Sequence, residues 1–180
     1  FLADPVGFMG ENVIRPIIHG FGVSIQTFKF TRDPAMAVRK GSFHWYSKKL
    51  KFYKVEPDPA GAVRAYVLGY RDNQAVGNIL GVLPGDPEIM FTYRMDGCSL
   101  GFAQANNATP AYVSHHNDKA GGNVPLTIEN QGVDFPDGSV QALNYAHKSG
   151  YMRDSGGQHN LYYKSSTIGV RDAGNIWRFY

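Results

Sequence analysis

Cysteine is nearly absent: Cys98 is the only thiol in 180 residues. An internal disulfide is therefore excluded, and a free thiol survives best in a reducing cytosol, which suits a protein acting inside a cell. Long apolar runs are missing too. None approaches the roughly 18 residues of a membrane span, so no spanning helix is expected. The opening Phe1-Leu2-Ala3-Asp4-Pro5 lacks the charged and apolar regions of a signal peptide and has no initiator methionine, from which we expect a fragment or a processed chain. Concentrated charge is scarce. The net charge is +3, and the 18 Lys and Arg are scattered as on any solvated surface, apart from Lys48-Lys49-Leu50-Lys51 and Lys54. Phe43-His44-Trp45-Tyr46 beside those lysines would suit a nucleic-acid surface, but alternation of this kind marks a half-buried strand, so no nucleic-acid partner is expected. The basic strip could instead attract an acidic partner. His19, His44, His115, His116, His147 and His159 show no ligand spacing such as His-Glu-x-x-His, and neighbouring His on a strand face opposite ways, so neither metal nor cofactor is expected.

What the chain does have is 21 Gly and 10 Pro punctuating short apolar segments. Residues 1–12 read as an irregular lead. Strands are expected over 23–30, 43–46, 50–55, 62–70, 89–95, 124–130, 161–165, 167–171 and 176–180, with an apolar stretch at 75–83. Pro84-Gly85-Asp86-Pro87 is the sharpest breaker, and Asp172-Ala173-Gly174-Asn175 reads as the turn of the last hairpin. One or two short helices are expected: 33–39, with Asp33 as N-cap and Pro34 at the first position, and 140–148, where Val140, Leu143 and Ala146 fall three apart. No repeat breaks the chain up. It reads as one domain, 1–180, of the α+β class, with a β-sandwich core of mostly antiparallel short strands.

The chemistry concentrates between Arg94 and Asp118. Cys98 follows Gly97, and His115-His116 come within twenty residues, which is the inventory of a thiol nucleophile and its base. Residues 105–110 are turn formers, so a hairpin pairing Gln104 with Ala111 is the simplest arrangement. Cys98, Leu100, Phe102, Val113 and His115 then share one face, and Ser99, Gly101, Tyr112, Ser114 and His116 the other. His115 is the favoured base and His116 the alternative, because a single bulge would exchange them. Gly97 and Ser99 would lend backbone amides to an oxyanion. Catalysis requires Cys98 to be partly exposed; a lone Cys is otherwise a small buried hydrophobe.

The strand before Gly97-Cys98, the Gly-Cys corner and the His on the following strand resemble the catalytic domain of the cytotoxic necrotizing factors and Burkholderia lethal factor, which are glutamine deamidase toxins. Gly97 and Cys98 match their Leu-Ser-Gly-Cys motif, whereas Met95 and Asp96 stand in place of Leu and Ser. A carboxylate at position 96 would oppose a thiolate unless it turns away. The resemblance implies a toxin or effector domain delivered into a host cytosol. There Cys98 and His115 would convert a glutamine of a host protein, such as a small GTPase or translation factor, to glutamate.

Two other readings stand beside it. Asp96-Gly97-Cys98-Ser99-Leu100-Gly101-Phe102 is also similar to the Asp-Cys-Ser-Gly-Phe of NlpC/P60 cysteine peptidases, whose Cys opens a helix and whose His, here His159, begins a strand. The third is a non-enzymatic all-β binding module with Cys98 merely buried.

Overall fold

The computed structural model describes residues 1, 3–18, 23–40, 48–70, 75–95, 98–116, 144–146 and 166–180. Strands dominate them. The run Val-Arg-Ala-Tyr-Val-Leu forms β4 (Val63–Leu68) and the apolar Ile-Met-Phe-Thr forms β6 (Ile89–Thr92). Near-continuous apolar runs mark strands buried on both faces, and the side chains divide accordingly. Val63, Ala65, Val67, Ile89 and Phe91 enter one buried cluster, while Tyr66, Leu68 and Met90 enter another. β4 and β6 pair in parallel, Ala65 opposite Ile89 and Leu68 opposite Thr92.

Around this pair a seven-stranded sheet is ordered β1-β3-β2-β4-β6-β10-β11, adding β1 (Asn12–Pro16), β2 (Val23–Lys40), β3 (Lys48–Pro57), β10 (Ile168–Arg171) and β11 (Trp177–Phe179). A four-stranded sheet, ordered β5-β8-β7-β9, comprises β5 (Ala75–Leu80), β7 (Ser99–Ala103), β8 (Ala111–His116) and β9 (Asn144–Ala146). The two sheets meet in one cluster, where Tyr66, Leu68, Met90 and Trp177 pack with Val76, Leu80, Cys98, Leu100, Ala111 and Val113. The other cluster lies on the opposite face of the larger sheet, covered in part by Phe1 and Met9. This is the α+β, β-sandwich architecture expected, with mostly antiparallel pairing and, among the described residues, one short helix.

That helix is not where the sequence placed helices. The lead expected to be irregular contains α1 (Pro5–Glu11), with Asp4 as N-cap accepting from Gly7 N at 2.8 Å. The helix expected at 33–39 is instead part of β2, whose pairing with β3 shifts between Asp33 and Ala37. Asp33 does not cap a helix; its Oδ1 accepts from Ala35 N at 3.1 Å inside the bulge. Within the helix expected at 140–148, Asn144–Ala146 is strand β9, paired with β7. Its remaining residues and the strands expected at 43–46, 124–130 and 161–165 lie outside the described residues. Short apolar segments such as 50–55 and 168–171 are strands as expected.

Candidate active site

The hairpin carrying the candidate residues has the expected register. Leu100 faces His115, Phe102 faces Val113 and Ala103 faces Tyr112, with no shift between them. Its loop is closed by side chains that hold the backbone: Asn106 Oδ1 accepts from Ala108 N at 2.9 Å, and Asn106 N donates to Thr109 Oγ1 at 3.2 Å. Gln104 anchors the hairpin to the C-terminal strands. Its amide nitrogen donates to Thr109 O and Asn175 O (3.0 and 2.8 Å), and its Oε1 accepts from Trp177 N at 2.8 Å.

Cys98 immediately precedes β7, and its side chain packs in the cluster that contains Leu100 and Val113. Those two residues occupy the hairpin face that His115 shares by strand alternation, Leu100 directly opposite and Val113 two residues before it. The thiol is more enclosed than catalysis was expected to require, with 3% of Cys98 exposed. An apolar surround opposes charge, so thiolate formation at Cys98 depends on a proton acceptor inside the same enclosure.

His115 is fully buried, and its Nδ1 lies 2.8 Å from Gly69 O. A carbonyl oxygen can only accept, so Nδ1 carries the hydrogen, and the lone pair of the neutral ring sits on Nε2. A ring held through one nitrogen leaves the other as the only site that can take up a proton. The group that holds it is main chain. Gly69 follows β4, so the bond links the larger sheet to β8 of the smaller one. Sequence reasoning missed Gly69, and no signal could have singled it out, since every residue carries a carbonyl.

The backbone of His116 pairs with Ser99 and Ala75, and Ser99 opens β7. Gly97 and Asp96 lie outside the described residues, as do His19, His44, His147 and His159. Because residues 99–103 are strand, Cys98 does not open a helix, which removes the geometry that the NlpC/P60 resemblance requires. Among the described residues, no group of three or more His, Cys, Asp or Glu could hold a metal ion, and no helix is long and apolar enough to cross a membrane.

No family model matches the chain, and no curated protein matches it in sequence. Among solved structures the chain is similar to the C-terminal domain of CNFy from Yersinia pseudotuberculosis, with 13% sequence identity and a TM-score of 0.42. The match covers 87% of this chain and 64% of that one, so the chain spans less than two thirds of that structure's length.

Proposed function

We propose that the protein is a thiol-dependent hydrolase that deamidates a glutamine side chain on a host protein, acting in the host cytosol. The observation that carries this reading is the buried His115 held through Nδ1 by Gly69 O, on the hairpin face where Cys98 packs with Leu100 and Val113. The reaction itself follows from the resemblance of Gly97-Cys98 and His115 to the deamidase toxins. His115 Nε2 takes the thiol proton and Cys98 Sγ attacks the glutamine carboxamide carbon, the oxyanion resting on backbone amides near Cys98. The tetrahedral adduct collapses with cleavage of the C–N bond, and the imidazolium returns its proton to the departing ammonia. Water, deprotonated by His115, then attacks the thioester; the C–S bond breaks, glutamate is released and the thiol is restored. An amine in place of water would give transglutamination. Small GTPases and translation factors are the substrates that the resemblance suggests.

Mass spectrometry of host-lysate proteins incubated with wild type and with Cys98→Ser tests the proposal. Wild type is expected to convert a glutamine to glutamate, heavier by the difference between OH and NH₂, and Cys98→Ser to convert none. Conversion that survives Cys98→Ser sinks the reading.

The 3% exposure of Cys98 favours one competitor, the binding module in which this residue is only a core hydrophobe. Iodoacetamide separates the two. Rapid, pH-dependent alkylation of the folded protein supports the enzyme, and an inert thiol with an unchanged lysate supports the module.

A further inference from the structure

A second concave region lies along the edge strand β1. It is a cleft of about 430 Å³ lined by residues 13–18 and Phe52 together with Tyr93, Arg94 and Ser166. Alternate residues of a strand point to opposite faces, so a cleft touched by six in succession follows the strand's edge. Among the described residues β1 is the last strand of its sheet, bonded to β3 alone, and an edge strand offers unpaired backbone N–H and C=O groups to another extended chain.

The cleft also carries positive charge without its complement. Arg15 is exposed and has no ion pair among the described residues. Arg94 Nε is buried, and among the described residues it has no hydrogen-bond partner. A buried donor left unsatisfied costs stability unless a ligand supplies the acceptor. Most of the rest of the lining, Val13, Ile14, Pro16, Ile17, Ile18 and Phe52, is apolar, with Tyr93 and Ser166 adding hydroxyls. A free phosphate would use the guanidiniums but neither the strand edge nor the aliphatic wall. An extended peptide with a carboxylate side chain among apolar neighbours uses all three.

The cleft adjoins the candidate active site through one short segment. Tyr93, on the cleft, packs at a tilt against Tyr70 with ring centroids 4.4 Å apart, and Tyr70 follows the Gly69 whose carbonyl holds His115. Arg94 is followed by Met95, which is buried in the Cys98 cluster. We infer that this cleft docks an extended acidic peptide segment, paired along the edge of β1 with its carboxylate on Arg94 and Arg15. That the docked segment belongs to the substrate rests on the deamidase reading above.

Fluorescence anisotropy on the whole chain tests this with an end-capped, fluorescein-labelled peptide alternating Glu with Val, and a second peptide with Gln in place of Glu. The Glu peptide is expected to bind saturably and the Gln peptide about tenfold more weakly, the loss of one charge-assisted hydrogen bond. Arg15→Gln and Arg94→Gln are each expected to weaken the Glu peptide about tenfold, whereas Cys98→Ser binds it like wild type. Thermal melts check folding. If Arg94→Gln fails to fold, the exposed Arg15→Gln and the charge-preserving Arg94→Lys decide. Equal binding of both peptides, undiminished binding by well-folded Arg variants, or tighter binding of a single-stranded oligonucleotide lost with the same substitutions each overturns the inference. The chemistry is scored separately. Peptide binding that needs the arginines, with no conversion of any lysate glutamine, upholds the docking site and removes the deamidase reading. Cys98-dependent conversion undiminished by Arg15→Gln and Arg94→Gln removes docking as the route of the substrate.

Discussion

On the proposed reading the imidazole of His115 has two jobs that different substitutions take apart. His115→Asn places an amide N–H where Nδ1–H stood, and so keeps a donor for Gly69 O while abolishing the base. His115→Ala removes both and leaves a buried carbonyl unpaired, at a cost of about 1–3 kcal/mol. We expect both variants to lose glutamine conversion, and urea denaturation to show His115→Asn as the more stable. Equal stability would mean that the bond to Gly69 contributes nothing. At this scale the pairing of position 115 with Leu100 was legible in the sequence, because turn-forming residues 105–110 fix the register and the alternation does the rest. The enclosure of Cys98 was not legible, since residues far along the chain, Leu68 and Trp177 among them, share its cluster.

Among the elements, the turn joining β10 to β11 is governed by one carboxylate. Asp172 Oδ1 accepts from Gly174 N and Ile176 N (2.9 and 3.0 Å), and Oδ2 accepts from Arg178 Nε at 3.0 Å. The bond from Ile176 N holds the Asp172 carboxyl below its ordinary value; burial opposes it, and Arg178 and Gly174 add to the lowering. A carboxylate depressed in the folded state stabilises it fully above the unfolded value of about 4, and that contribution is lost as pH falls through the folded value. Melting temperatures of wild type and Asp172→Asn, compared from pH 6 downward, should therefore converge in acid, because Asn keeps an acceptor for the turn but has no charge to lose. A constant difference at all pH would refute the assignment. Element boundaries also show where local signals fail. Asp-Pro occurs four times, and two of the pairs diverge in fate: 4–5 starts α1, while 33–34 makes a bulge within β2. The same dipeptide suits both, and pairing of β2 with β3 and β4, which no local signal contains, decides the second. Likewise Ala146, which falls three after Leu143, sits in Asn144–Ala146, a strand that pairs with β7.

At the scale of the whole molecule, two cores among the described residues share one wall, and the proposed chemistry touches only one of them. Leu68→Ala, in the core of Cys98, and Phe91→Ala, in the other, should each cost stability, about 2–5 and 3–5 kcal/mol respectively. Only Leu68→Ala is expected to slow glutamine conversion by protein that remains folded; equal slowing by both would mean that the site responds to general softening. The strand-rich class was legible because Gly and Pro divide the sequence into short apolar pieces, whereas the assignment of β5 and β8 to a second sheet depends on long-range pairing. That division gives the bond between His115 and Gly69 O a further meaning. It spans from one layer to the other, so it gauges their separation: a gap wider by a fraction of its 2.8 Å length frees the ring to rotate while every strand ladder survives. Catalysis would then be an early casualty of loosening. In a urea titration, glutamine conversion should fade at lower denaturant than the far-ultraviolet circular dichroism, and coincident loss of the two would show that the layers part only when the strands do.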